Sequence, residues 1–376
     1  MKSIEFYRHN LDEADIRSAT KVMRSLFLST GAVVAEFENK FARLFGRNMY
    51  ARGTTSCTAA LHLALDAVGI KRGDEVITTP LSYIATTHAI EYVGARPRFV
   101  DVEADTGNLD IQNIESHINK KTRMILPVHL YGQMVDMREV SRIGKKHKIS
   151  IVEDAAHALE SAHNGLRPGA VSDAACFSFY GTKSITSGEG GVLLTRHDSL
   201  SKIILRLRHH GVSRSAATRH GKLYQHYDVL DLGWKYNMNN IQAALLIGQI
   251  SRIQRNWKRR QQIALRYAKE FGAAGIEFPT TRPGVTHSYY LFTVWVNPKR
   301  RDEYMHELQR QGVGVAVNFR PIHLMTYYRK KYGFSRGDFP NAERIGSRTI
   351  SLPLYSKLTD SEVSYIISTV KRVCKT

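Results

Sequence analysis

The chain has 376 residues, of which 43% are hydrophobic and 23% charged, as is typical of a globular protein large enough to bury a sizeable core. It has no run of about 18 apolar residues, no apolar signal core in residues 1–10, and three cysteines without a Cys-x-x-Cys spacing. We therefore expect a cytoplasmic protein without a membrane partner, a disulfide framework or a metal site. The formal net charge of +20 favours anionic partners, but no nucleic-acid-binding motif accompanies it, and the basic stretch 252–260 indicates a solvated helix face.

Short β-rich segments alternate with helical segments along the first two-thirds of the chain. Strands are predicted at residues 75–79, 97–101, 123–128, 149–153, 174–178 and 191–195, and helices between strands include residues 59–68 and 136–147. Strands separated by helices imply right-handed crossovers and a mostly parallel sheet that is covered on both faces. Ligands of such sheets bind at the carboxyl ends of the strands.

The pattern changes beyond about residue 250. A long basic helix is followed by a predicted strand at 290–296, a charged helix and a predicted strand at 313–318, which together indicate a smaller α+β unit. We therefore predict a large domain, residues 1–248, and a small C-terminal domain, residues 249–376, with the first residues of the chain able to pack on the small domain.

A hydroxyl-rich segment, residues 53–61, leads into the first predicted helix. Backbone N–H groups and hydroxyls at a helix N-terminus can bind phosphate, although Ser and Thr are also common N-cap residues, and the segment alone leaves both roles open. Tyr83, near the start of a later helix, could stack on a flat ring or be an ordinary aromatic.

Two ionisable residues follow predicted strands. Asp154 can direct its carboxylate into a crevice, whereas Glu153 is expected to face away from it because side chains alternate along a strand. Lys183 lies in a turn close to Ser178 and to the glycine-rich run 187–191, where the backbone can be approached closely. A desolvated lysine amine is a nucleophile toward carbonyl groups, and this neighbourhood favours that role over a surface loop lysine.

Together and in this order, these motifs resemble the DegT/DnrJ-type sugar aminotransferases, which are fold-type-I enzymes that use pyridoxal 5'-phosphate (PLP). The resemblance runs from Gly31 to the final helices and includes residues 58–65, 73–77 and 127–132. It implies an aspartate-aminotransferase-like α/β fold with a mostly parallel central sheet flanked by helices, and a smaller α+β C-terminal domain. It also implies a homodimer with shared active sites.

The resemblance assigns roles around the cofactor ring. Lys183 would be the Schiff-base lysine that holds PLP, and Asp154 would keep the pyridine nitrogen protonated so that the ring acts as an electron sink. Tyr83 would stack on the ring, and His157 would contact its hydroxyl side.

A second group of residues resembles the family's phosphate contacts. Cys57, Thr58 and Ser178 match them, and the backbone N–H of Cys57 should matter more than its thiol because the family often has glycine there. Asn237 resembles the residue that reaches the cofactor phosphate of the neighbouring subunit, and Lys235 is the alternative for that contact.

Residues 183–191, 235–237 and 318–323 are similar to UDP-4-ketosugar aminotransferases, in particular those that make UDP-4-amino-4-deoxy-L-arabinose. This implies amino transfer from L-glutamate to a nucleotide-linked ketosugar for cell-surface polysaccharide, for example lipopolysaccharide. Arg320 and His323 would lie near the sugar nucleotide or the donor carboxylate, although His323 also fits a loop histidine bonded to backbone.

Three alternatives remain at this point. The acceptor could be a dTDP- or GDP-ketosugar. A sugar dehydratase is disfavoured because histidine replaces the lysine in those relatives, whereas Lys183 is present here. A non-catalytic regulatory relative is disfavoured because it would have no need of the complete site.

Overall fold

A seven-stranded sheet forms the centre of the fold in the computed structural model, which describes residues 3–213 and 226–374. The strands, in chain order, are β1 Tyr50–Thr54, β2 Glu75–Thr78, β3 Arg96–Phe99, β4 Thr122–Ile125, β5 Ser150–Asp154, β6 Ala162–His163, β7 Ala174–Ser178, β8 Gly191–Thr195, β9 Val285–Thr286, β10 Phe292–Trp295 and β11 Thr349–Leu352. The helices of the described residues are α1 Glu13–Met23, α2 Ala32–Arg43, α3 Cys57–Ala67, α4 Ala85–Tyr92, α5 Met137–His147, α6 Asp198–Leu207, α7 Asn240–Ile250, α8 Ile253–Gly272, α9 Arg301–Arg310, α10 Thr326–Tyr332, α11 Pro340–Arg348 and α12 Asp360–Cys374.

The strand order of the central sheet is β1-β8-β7-β5-β4-β2-β3. Strand β8 runs antiparallel to both of its neighbours, and the other neighbouring pairs are parallel. The predicted mostly parallel sheet is therefore confirmed. Strand β1 was not predicted, since its sequence Tyr-Ala-Arg-Gly-Thr carries no apolar run.

Helices cover both faces of this sheet. Cys176 and Leu193 pack under α3, whereas Phe177 and Val192, one position away on the same strands, pack under α2. Because side chains alternate along a strand, burial on both faces requires the near-continuous apolar runs that the sequence shows in β7 and β8.

Capping residues determine where several helices begin. The Ser56 hydroxyl accepts a hydrogen bond from the Ala59 N–H at 3.1 Å, so α3 begins at Cys57, two residues before the predicted start. Asp136 caps α5 by accepting from the N–H groups of its second and third residues. Helix ends predicted from periodicity alone are therefore displaced by a residue or two.

The predicted strand at 313–318 is wrong as a regular strand. Val313 makes a single bridge to Ile4, and Ala316 makes a single bridge to Ser351 on β11. A Cβ on Gly314 would lie 2.5 Å from the backbone nitrogen of Phe6, so the N-terminal segment crosses the chain there. The alternating valines indicated a strand, but the close crossing leaves isolated bridges instead of a continuous ladder.

The C-terminal part of the chain forms its own apolar core around the antiparallel pair β10–β11. This core includes Tyr267 and Phe271 of α8, Leu308 of α9, Val363 of α12 and Ile4 from the start of the chain. The division between residues 248 and 249 stays a prediction. None of the helices in residues 3–213 and 226–374 is long and apolar enough to cross a membrane.

The basic helix α8 is packed as expected on one face, but one of its arginines is buried. Arg260 pairs with Glu160 at 2.8 Å, and both side chains are almost completely excluded from solvent. Arg259, the next residue toward the N-terminus, pairs at 2.7 Å with Asp360, whose side chain is 80% exposed. The two neighbouring ion pairs therefore differ mainly in their solvent exposure.

Replacing Arg260 with alanine would leave the Glu160 carboxylate buried without its charged partner. We expect the free energy of unfolding to fall by about 3–5 kcal/mol. Arg259→Ala breaks the exposed pair and should lower it by about 1 kcal/mol or less. Chemical denaturation followed by circular dichroism measures both, and equal losses in the two variants would contradict this assignment.

Candidate active site

Asp154 is the last residue of β5, at the carboxyl edge of the sheet. One carboxylate oxygen accepts from the Thr86 hydroxyl at 2.7 Å, and the other accepts from the Ala156 N–H at 3.1 Å. The side chain is therefore held in a fixed orientation. Each carboxylate oxygen has two lone pairs, so Asp154 can accept a further hydrogen bond from a ligand.

Glu153 faces away from Asp154, as the strand period predicts. Its carboxylate contacts His129 Nε2 at 2.7 Å, with both side chains fully buried, and it also accepts from the Gly169 N–H at 2.8 Å. His129 Nδ1 accepts from the Val135 N–H at 3.2 Å, so the ring proton lies on Nε2 and is donated to Glu153. This network anchors the end of β5 from the side opposite Asp154.

The first turn of α3 lies directly against the start of β8. A Cβ on Gly191 would lie 2.5 Å from the backbone nitrogen of Cys57, so only glycine permits this approach. Ser178, at the end of β7, is paired with Gly191 in the β7–β8 ladder. The structure thus brings Cys57, Thr58 and Ser178 together, as the sequence predicts.

This cradle carries suitable donors for a phosphate group. The first N–H groups of an α-helix have no acceptor within the helix, and here they belong to Cys57 and Thr58 at the start of α3. Burial, followed by the nearby charge of Asp154, raises the pKa of the Cys57 thiol well above its usual value. The thiol therefore stays neutral and adds no negative charge beside a bound phosphate, and the predicted contact from the backbone N–H of Cys57 stays a prediction.

Lys183 lies against aromatic rings. Its Nζ is 4.1 Å from the ring centroid of Tyr290, and the Tyr290 ring stacks on the His157 ring at a centroid distance of 4.2 Å. The Tyr290 hydroxyl is 2.9 Å from the Thr182 hydroxyl. Sequence reasoning missed Tyr290, because it lies far along the chain in an apolar segment that indicates only a strand.

His157 is buried beside this group. Burial, followed by the charge of Lys183, lowers the pKa of its imidazole well below its usual value, so the ring is neutral at physiological pH. Its Nδ1 has no hydrogen-bond partner within the described part of the chain. A buried polar atom without a partner is costly, and a ligand oxygen or proton could satisfy it.

Tyr83 is 61% exposed, and its ring centroid lies 6.2 Å from that of Phe319. Phe319 in turn lies 5.9 Å from the His157 ring, with the two planes 9° apart. The Tyr83 ring therefore faces solvent and is connected to the His157 ring through Phe319. This placement is compatible with the predicted stacking on a flat cofactor.

Of the two alternatives for the contact between subunits, Asn237 lies near the phosphate cradle of its own chain. The Asn237 side chain donates to the Thr30 hydroxyl, and its backbone bridges Thr54, three residues before α3. Lys235 is exposed, and its backbone bridges His209. Which of the two reaches a partner's cofactor stays a prediction.

The two residues expected at the substrate differ in exposure. Arg320 is exposed. His323 is fully buried, with Nε2 3.0 Å from Glu343 and its ring packed on Phe339, and burial lowers its pKa. Its partner is thus a carboxylate and not backbone, and this arrangement gives no support to the predicted substrate contact of His323.

A model of the DegT/DnrJ/EryC1/StrS aminotransferase family matches residues 9–371. The chain belongs to this family. It is 37% identical over 374 residues to the spore coat polysaccharide biosynthesis protein SpsC of Bacillus subtilis, with 97% of this chain and 95% of SpsC covered. It is 33% identical over 378 residues to the UDP-4-amino-4-deoxy-L-arabinose–oxoglutarate aminotransferase of Shewanella sediminis, with 97% of each chain covered.

Solved structures support the same assignment. The PMP form of Spr1654, a provisionally assigned sugar aminotransferase from Streptococcus pneumoniae, superposes with a TM-score of 0.93 at 31% identity and covers 99% of each chain. A PLP form and an apo form of that protein match with TM-scores of 0.92. The predicted family, fold, aminotransferase class and cofactor are thereby confirmed at the level of the family.

The residues of this chain fit PLP. The α3 N-terminus with Ser178 suits a phosphate, Asp154 has acceptor capacity for a ring N–H, and the unpartnered Nδ1 of His157 suits a ring oxygen. Lys183 supplies an amine at the same site, since its Nζ lies 4.1 Å from the ring of Tyr290, which stacks on His157. The donor set thus matches each polar part of the cofactor.

Gly191→Ala should disrupt this fit, because its Cβ would overlap the backbone of Cys57. We expect the affinity of the apoenzyme for PLP to fall by roughly tenfold or more, in line with about 1–3 kcal/mol for overpacking. Gly181→Ala is the matched control, since its Cβ would meet only the Tyr7 hydroxyl at 3.6 Å. Titration of cofactor fluorescence measures the PLP affinity of both variants. An affinity of Gly191→Ala equal to that of the wild type would contradict the assignment of this cradle to the cofactor phosphate.

Proposed function

We propose that this sugar aminotransferase transfers the amino group of L-glutamate to a nucleotide-linked ketosugar, with PLP as cofactor and a UDP-4-ketosugar as acceptor. The observation that carries the proposal is the position of the Lys183 amine against Tyr290 and His157, at the edge of the sheet where Asp154 ends β5 and Ser178 meets the α3 N-terminus. A lysine amine, a carboxylate acceptor and a set of donors suited to phosphate lie at that edge. These three groups are what PLP-dependent transamination requires.

Bound PLP supplies an electron sink for negative charge at the carbon that carries the amino group. The α3 N–H groups and Ser178 hold its phosphate, and Asp154 holds a proton at the ring nitrogen. The Nζ of Lys183, when free of the cofactor, accepts the proton from the α-carbon of glutamate and later delivers a proton to the sugar carbon. His157 stays neutral and donates or accepts a hydrogen bond without adding charge.

The acceptor class is supported by the relatives. The Shewanella protein is named for a UDP-linked amino sugar, and the Bacillus protein for polysaccharide biosynthesis. A net charge of +20 favours an anionic nucleotide diphosphate and a dicarboxylate donor, although it does not distinguish UDP from dTDP or GDP. We place the reaction in the cytoplasm, in the formation of a precursor for cell-surface polysaccharide such as lipopolysaccharide.

Amino transfer from 15N-labelled L-glutamate to a panel of UDP-, dTDP- and GDP-ketosugars tests the substrate. We expect the label in the product of a UDP-4-ketosugar, detected by mass spectrometry. Label in the product of a dTDP- or GDP-ketosugar instead would show that the acceptor carries that nucleotide and not UDP. Loss of a hydroxyl without labelling would support a dehydratase instead.

Lys183→Ala should abolish both the cofactor absorbance band and amino transfer, because the Nζ of Lys183 supplies the amine that bonds the cofactor. The variant should keep its circular dichroism spectrum. Lys202→Ala is the control, since Lys202 is a largely exposed lysine that pairs with Asp198 on α6. Amino transfer by Lys183→Ala would overturn the mechanism.

The proposed homodimer with shared sites can be tested by subunit complementation. If Asn237 serves the partner's cofactor, a heterodimer of Lys183→Ala and Asn237→Ala chains contains one intact site and one doubly altered site. Refolding the two variants together should then give about a quarter of the wild-type activity from the intact sites, since half of the dimers are mixed. Without sharing, the mixture would be no more active than the average of the separate variants.

A further inference from the structure

Tyr290 touches three separate parts of the candidate site. Its ring lies 4.1 Å from the Nζ of Lys183 and 4.2 Å from the ring centroid of His157, with an angle of 24° between the two rings. Its hydroxyl is 2.9 Å from that of Thr182, the residue before Lys183. The aromatic ring and the lysine-bearing turn are therefore held together at two points.

The segment that carries Tyr290 is fixed against the large sheet. The Ser288 hydroxyl donates to the backbone oxygen of His157 at 2.5 Å, and the Ser288 N–H donates to the oxygen of Gly132 at 3.0 Å. A Cβ on Gly132 would overlap the Ser288 hydroxyl, so glycine permits this approach. Arg260 donates to the oxygen of Tyr289 at 3.2 Å. The backbone just before Tyr290 is thus anchored by contacts that do not involve Lys183.

We propose that Tyr290 is a positioning residue for Lys183, whose ammonium it holds over the face of its ring whenever the amine is not bonded to cofactor. An ammonium is attracted to the negative face of an aromatic ring, most strongly where water is scarce. The lysine stem is long and flexible, so a released amine would otherwise sample many rotamers. The functional part of this inference rests on the proposed transamination, in which Lys183 is released in each half-reaction.

The neutral state of His157 is consistent with this role. Burial, followed by the charge of Lys183, lowers the pKa of the imidazole well below its usual value. A neutral ring behind Tyr290 does not repel the ammonium in front of it. The attraction depends on the aromatic face alone, so phenylalanine should replace tyrosine here, whereas an aliphatic side chain of similar bulk should not.

The contact can be measured without turnover. The apoenzyme is reductively methylated with 13C-formaldehyde, which leaves each lysine cationic, and the Lys183 signal is assigned as the one missing in Lys183→Ala. We expect that signal to be shifted upfield by the ring current in the wild type, Tyr290→Phe and Thr182→Val. In Tyr290→Leu and Tyr290→Met it should return to the position of exposed lysines. An identical position in the wild type and in a folded aliphatic variant would overturn the proposal.

The consequence for catalysis is measured as the single-turnover rate at which L-glutamate converts the PLP-loaded protein to its pyridoxamine form, followed by absorbance. In that half-reaction Lys183 carries a proton as an ammonium, the state that Tyr290 holds. We expect Tyr290→Leu to react roughly 2- to 30-fold more slowly, the range of a cation–π contact, and Tyr290→Phe to remain close to the wild type. Equal loss in the Phe and Leu variants would assign the effect to the hydroxyl and contradict the proposal.

The two measurements separate this inference from the proposed function. A wild-type chain that captures no PLP would refute the proposed function and, with it, the role of Tyr290 in catalysis. An upfield Lys183 signal in the wild type, together with an unchanged half-reaction rate in Tyr290→Leu, would refute the positioning role but leave PLP chemistry intact. Circular dichroism melting of each variant confirms that only folded proteins are compared.

Discussion

The first turn of α3 lies against the start of β8 with no room for a side chain between them. This close approach at Gly191 brings the free N–H groups of α3 next to the end of β7. A helix N-terminus alone would attract any anion, but here it is joined by the Ser178 hydroxyl and by the turn that carries Lys183. The proposed chemistry depends on this contact, because it determines where the α3 N–H groups lie relative to the Lys183 amine.

Much of this site could be predicted from the sequence because its parts are local. Asp154 and Ser178 end apolar strands, and strands of one sheet end at a common edge when they run parallel. Tyr290 could not be predicted in this way. Its contact with Lys183 depends on how a segment distant in sequence packs against the sheet. The local periodicity of that segment cannot predict this packing.

The errors have equally specific causes. Residues 313–318 alternate like a strand, but the N-terminal segment crosses at Gly314 and interrupts the pairing. Arg260 belongs to a strongly basic stretch that indicates a solvated face, but it is the charged partner of a buried carboxylate. In both cases tertiary contacts overrode a local pattern.

The antiparallel direction of β8 determines how Lys183 is attached to the fold. Ser178 and Gly191 are paired on adjacent strands. The loop of residues 179–190 that connects them therefore starts and ends at the same position along the sheet. A crossover to a parallel strand would need a long excursion over one face, whereas this loop begins and ends beside the α3 N-terminus. An insertion elsewhere on the surface would leave the reach of the amine unchanged, whereas a change in the length of this loop would move Lys183 relative to Ser178.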